Sequence, residues 1–147
     1  MANEAHEFTF EDFRIISTHF DLDLKKISEL TENKEVGAKL SLRHEYSEEI
    51  NTLRLFMKVE LDGEETPFKL LIECISHFSF SNKITNMAAV AQVAEINCAA
   101  IIYPYMRETV ADLVRRAGFP PLHLPRMNFV EFYKSLHPGV PPVESEC

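Results

Sequence analysis

The chain has 147 residues, with 15 Lys and Arg against 23 Asp and Glu and a formal charge of −8. With 46% apolar and 26% charged residues it is globular, not disordered or fibrous, and long enough for one domain that buries roughly two thirds of its unfolded surface. The acidity argues against a general nucleic-acid binder, which neutralises phosphate with clustered Lys and Arg.

Phe8, Phe10, Phe13 and Ile15, followed by Phe20, Leu22 and Leu24, predict a long first strand with a bulge near Ile15–Ser17. Val36, Ala38, Leu40, Leu42 and Tyr46 share the parity of a second strand, with Lys39, Ser41 and Arg43 opposite. Leu53, Leu55, Met57, Val59 and Leu61 form one face of a third. Phe68, Leu70, Ile72, Cys74, Phe78 and Phe80 form one face of a fourth. Between these two strands, Asp62-Gly63-Glu64-Glu65 is a tight-turn sequence, so the pair reads as a hairpin.

The period then changes. Met87, Val90, Ala91, Ala94, Cys98 and Ile101 recur at helical spacing, and Tyr105, Met106, Val110, Leu113, Val114 and Ala117 continue the face to about residue 117. Pro104 interrupts, as a kink or as the first position of a new turn. Arg107, Asp112, Arg115 and Arg116 are expected in solvent, and Gly118 suits a helix stop. Phe119-Pro120-Pro121-Leu122-His123-Leu124-Pro125 predicts an ordered loop, and Asn128 caps a last helix faced by Phe129, Phe132, Tyr133 and Leu136. Residues 1–137 are expected to form a single domain and 138–147 a flexible acidic tail. Four strands followed by helices predict an α+β fold, an antiparallel four-stranded sheet with helices on one face.

Sets of residues that carry catalysis are not evident. Cys74, Cys98 and Cys147 are odd in number and widely spaced, which suggests a reducing compartment rather than a disulfide framework. The six His show no metal-ligand spacing, so no metal is expected. Four Gly make no phosphate loop, and no cofactor is expected. His77 reads as a surface histidine on the polar side of a strand, and Tyr103 and Tyr105 as core or interface aromatics. No apolar run approaches the ~20 residues of a bilayer span. The acidic first eleven residues are unlike a secretory signal, and a cytoplasmic protein is expected.

Apolar side chains are in excess of what one buried sheet face needs. Phe56, Leu71 and Ile75 fall on the second face, and the Ala-rich helix is apolar over a wide arc. An oligomer, or an exposed apolar surface kept for ligands, follows.

Ile101-Ile102-Tyr103-Pro104-Tyr105-Met106-Arg107-Glu108 resembles a segment of the SecB-type preprotein-export chaperones. So does Gly118-Phe119-Pro120-Pro121-Leu122-His123-Leu124-Pro125 at matching spacing, and Asn128-Phe129 after it. The resemblance implies a homotetramer, a dimer of dimers with the long helices between the sheets. It also implies a non-enzymatic, ATP-independent holdase that keeps unfolded preproteins competent for export and delivers them to the SecA motor. The expected polypeptide groove takes in Phe78, Phe80, Met87, Val90, Tyr105, Met106, Phe119, Leu122, Leu124, Phe129 and Phe132, with Phe119 and Leu122 foremost. Asp21, Asp23 and Glu73 are the candidates for SecA docking. Leu71 stands where the family has an acidic residue, and Lys39, Arg43, Arg54, Lys58 and Lys69 make that face mixed in sign. Two alternatives remain: a SecB-like chaperone dedicated to one client such as an antitoxin, and a small α+β isomerase or lyase with an apolar pocket. A buried acid or His of shifted pKa would mark the enzyme.

Overall fold

Side-chain alternation sets two unlike faces on one antiparallel sheet. A computed structural model describes residues 7–25, 38–62, 67–120 and 122–138. Its strands are β1 (Phe8–Leu22), β2 (Ala38–Ser47), β3 (Thr52–Asp62) and β4 (Phe68–Phe80), in the order β1-β4-β3-β2. Leu53, Leu55, Met57, Val59 and Leu61 are buried on the same face as Phe68, Leu70, Ile72, Cys74, Phe78 and Phe80, as their parity predicts. The register pairs Leu55 with Ser76, whose hydroxyl, buried among apolar groups, donates to the Leu55 carbonyl.

The first strand crosses to the far side of β4 and pairs with it along its whole length. The expected bulge lies between Ile15 and Ser17, and a second lies between Phe10 and Asp12. Together they keep Phe8, Phe10, Phe13, Phe20 and Leu22 against the core. Leu24, read as part of this strand, lies beyond its end and is exposed. Val36 and the Gly63-Glu64-Glu65 part of the expected turn lie outside the described residues, as does the tail from residue 139.

One long helix, Met87–Arg116, covers the core face. It runs as α1 (Met87–Gln92), a π-helical segment (Val93–Cys98) and α2 (Ala99–Arg116). Asn86 caps its start by accepting the Ala88 N–H. Pro104 neither starts a turn nor divides the helix. It sits inside α2, and the irregularity lies upstream, where the Ala99 N–H reaches back five residues to Ala94. That wider turn buries three consecutive residues, Val93, Ala94 and Glu95, more than a regular helix turns to one side. By length and composition the long helix is apolar enough to cross a bilayer, a test that a buried core helix also passes. Its stripe of Val90, Cys98, Ile102, Met106, Val110 and Val114 instead packs into the core cluster.

The helix ends in a Schellman motif. Gly118 adopts φ +93°, its N–H bonds to the Arg115 carbonyl, and the Phe119 N–H bonds to the Val114 carbonyl. The Pro-rich loop follows. Asn128 then caps α3 (Phe129–Leu136) by accepting the N–H groups of Val130 and Glu131.

Candidate functional site

Partly exposed apolar side chains, and the rings that pack with them, come from three elements. On β4, Phe68 stacks on Phe20 at 5.5 Å and meets Phe119 at 5.8 Å. On α2, Tyr105 lies 5.3 Å from Phe13 and 5.8 Å from Phe10, with 45% of its surface exposed. On α3, Phe129 packs edge-on against Tyr103 at 5.4 Å, and the half-buried Phe132 packs beside Phe129.

The loop itself is held by its neighbour helix. The Tyr103 hydroxyl donates to the Pro125 carbonyl at 2.5 Å, and Arg107 Nε donates to the Leu124 carbonyl at 2.9 Å. Arg107, expected in solvent, is half-buried at this tether, which corrects that reading. A loop with several prolines has few N–H donors, so its carbonyls find partners on side chains from α2.

The eleven groove candidates divide. Phe78, Phe80, Val90, Met106, Leu124 and Phe129 are core residues, buried within the chain. Met87 is 55% exposed, Tyr105 is nearly as open, and Phe119, Leu122 and Phe132 are half-buried. The structure therefore brings Phe119, Leu122 and Phe132 to the surface on the loop and α3.

The outer sheet face is mixed in sign, as expected. Asp21 pairs in register with Lys69, and Glu73 with Lys58 and Ser17. Asp23 lies past the end of β1, where its Oδ1 accepts the Lys25 N–H. The second-face apolar residues also find their place: Phe56 is buried under the Arg43 guanidinium, 3.8 Å above its ring, its register partner Ile75 is half-buried, and Leu71 is half-buried further along β4. His77 is no free surface group. Its Nδ1 lies 2.6 Å from Asp12 Oδ1, and this hydrogen bond lowers the Asp12 pKa against the opposing effect of burial.

Glu95 was not foreseen. It is a buried carboxylate, 7% exposed, on the π-helical segment, and its oxygens lie 2.9 and 3.2 Å from Nε2 of His137 at the end of α3. Its neighbour Tyr133 has its phenol pKa raised by burial and then by the Glu95 charge. The sequence signal was a single Glu in an apolar helix face, legible only with the π turn. Burial pushes the Cys74 thiol up to about 12 and the Cys98 thiol higher still, so neither is a nucleophile.

The family described as Preprotein translocase subunit SecB matches residues 26–137, most of the chain. The chain belongs to the SecB family. Over 43 residues it is 54% identical to the protein-export protein SecB of Methylibium petroleiphilum, covering 29% of this chain and 26% of that protein. Over 67 residues it is 43% identical to SecB of Thiobacillus denitrificans, covering 46% of this chain and 43% of that protein. The matched stretches thus span less than half of these relatives. In fold the chain is similar to a Mycobacterium tuberculosis SecB-like chaperone, solved in complex with a peptide from the HigA1 antitoxin. The TM-score is 0.65 at 17% identity, covering 82% of this chain and 90% of that one. The four-stranded sheet, long helix and short C-terminal helix are the SecB-like fold.

Proposed function

We propose that this SecB-family chain is a non-enzymatic, ATP-independent holdase. It binds apolar segments of unfolded preproteins at the surface formed by Phe119, Leu122 and Phe132, extended by Tyr105 and Met87. The observation that carries this reading is that Phe119 and Leu122 stay half exposed on a loop that α2 fixes in place. Each apolar side chain seated there is worth roughly 1–3 kcal/mol, and aromatic and Met surfaces accept varied sequences because they repack. Several such sites on one assembly give avidity without sequence specificity. A homotetramer supplies them. Its support is the free edge of β1, with Ile15 and Ile16 exposed, and the exposed Ala88 and Ala100 on the long helix. The protein works in the cytoplasm and hands its clients to the Sec machinery, where Asp21, Asp23 and Glu73 are the groups offered to SecA.

A second reading is favoured by one observation. The outer sheet face sets Lys69 beside Asp21 and Lys58 beside Glu73, so it presents no uniform acidic field to a translocase motor. A chaperone dedicated to one client, such as an antitoxin, needs no such field. The likeness to an antitoxin-peptide-binding SecB-like chaperone points the same way.

Light scattering on a sizing column, with and without a permanently unfolded, unrelated polypeptide, separates these readings. A tetramer that takes up the polypeptide is the expected result. Phe119→Ser with Leu122→Ser should keep the tetramer and weaken capture by about tenfold or more. A tetramer that ignores the polypeptide favours the dedicated client. A monomer that ignores it removes both.

A further inference from the structure

Arginine gathers in two adjacent register rows on the outer sheet face. One row runs Asp12, His77, Arg54 and Glu45 across the four strands, and the next runs Arg14, Ile75, Phe56 and Arg43. The side chains of Arg14, Arg43 and Arg54 are each more than half exposed. Their carboxylate partners are shared. Asp12 Oδ2 lies 3.5 Å from Arg14 while its Oδ1 is held by His77, and Glu45 is divided between Arg43 at 3.2 Å and Arg54 at 3.7 Å. Exposed pairs of this kind are weak, so an incoming carboxylate can compete for a guanidinium and meet it with both oxygens. The second row is two Arg around two apolar residues, with Ile75 half-buried and Phe56 beneath the Arg43 guanidinium. That stacking orients Arg43 before anything binds. Further along the sheet the signs balance: Glu73 stands opposite Lys58, and Asp21 opposite Lys69. Towards the other end, Glu11 is occupied by the Ser79 hydroxyl.

We propose that the row of Arg14, Ile75, Phe56 and Arg43 is a docking site for an extended acidic segment of a partner protein. Arg14 and Arg43 stand on the two outermost strands, three strand spacings or roughly 14 Å apart along the backbone. An extended chain covers that span in about four residues. Residues two and four apart on an extended chain share a face. The segment that fits is therefore acidic-x-apolar-x-acidic, with its carboxylates on Arg14 and Arg43 and its apolar side chain over Ile75. Such a partner is opposite in charge to one drawn by Asp21, Asp23 and Glu73, and the site does not depend on the holdase reading.

The test is fluorescence anisotropy on the full-length assembled protein at low salt. The probe is the labelled peptide Gly-Ser-Glu-Ser-Leu-Ser-Glu-Ser-Gly, and the control has Lys in place of both Glu. Wild type should bind the acidic peptide at least about tenfold more tightly than the control, and added salt should weaken it. Arg14→Gln with Arg43→Gln should cost about tenfold or more in affinity. Arg14→Gln alone leaves the Phe56 ring covered and should still cost about threefold. Phe119→Ser with Leu122→Ser should change nothing. Equal binding of the two peptides, unchanged affinity in the Arg variants, or loss in the Phe119 and Leu122 variant overturns the proposal. Binding seen only after Glu144→Gln with Glu146→Gln makes the chain's own acidic end the occupant and also overturns it. So does a change of mass by light scattering in the double Arg variant, which would make this face a contact between copies.

Discussion

Leu53, Leu55, Met57 and Leu61 of β3 have no exposed surface, whereas the segment from Phe119 to His137 buries Leu124, Phe129 and Tyr133 and leaves Val130 and Leu136 open. The β3–β4 pair is held by continuous apolar contact on one face and an unbroken antiparallel register. The C-terminal segment is held by a few discrete bonds: Tyr103 to Pro125, Arg107 to Leu124, Asn128 to the start of α3, and Glu95 to His137. Area-wide burial fixes a scaffold. Point attachments fix a geometry while leaving side chains available to a ligand. Low local stability belongs where binding occurs.

The largest difference between the two regions should appear on truncation. Leu55→Ala removes three buried carbons from a filled core and should cost about 3 kcal/mol in denaturant unfolding, against less than about 0.5 kcal/mol for Leu136→Ala. Equal costs would mean that the C-terminal segment is as much core as β3. A smaller effect is expected at the loop tethers. Tyr103→Phe and Arg107→Gln should each cost about 1 kcal/mol and raise amide exchange around Leu124 while sparing β3. Unchanged exchange there would show that the prolines alone hold the loop.

The smallest effect concerns β1, which lies between these extremes. Its bulge after Phe10 sets Asp12 beside His77 and Glu11 beside the Ser79 hydroxyl, which donates to it at 2.6 Å. The hydrogen bond from His77 holds the Asp12 pKa below its unfolded value, aided by the charges of His77 and Arg14. Such a group contributes stability above the ordinary Asp range, and loses it as pH falls through the lowered folded pKa. Wild type should therefore lose more stability than Asp12→Asn between about pH 5 and about pH 3. Parallel acid limbs for the two proteins would show that the pair contributes nothing to holding the edge strand.

The sequence alone determined the strands of the sheet, the bulge near Ile15–Ser17, the stop at Gly118 and the cap at Asn128. Each depends on local alternation, helical spacing or the backbone preference of one residue, and none needs a distant partner. The family motif from Ile101 to Phe129 was legible for the same reason, as a contiguous stretch. Only the tertiary structure decided that β1 crosses to pair with β4, that Met106 and Phe78 lie in the core while Phe119 and Phe132 stay half open, and that Arg107 reaches a loop carbonyl. It alone placed Glu95 opposite His137, 42 residues away in the chain. A π turn shifts the buried face by a residue that no 3.6-residue period anticipates, and a buried carboxylate can be understood only once its partner has folded against it.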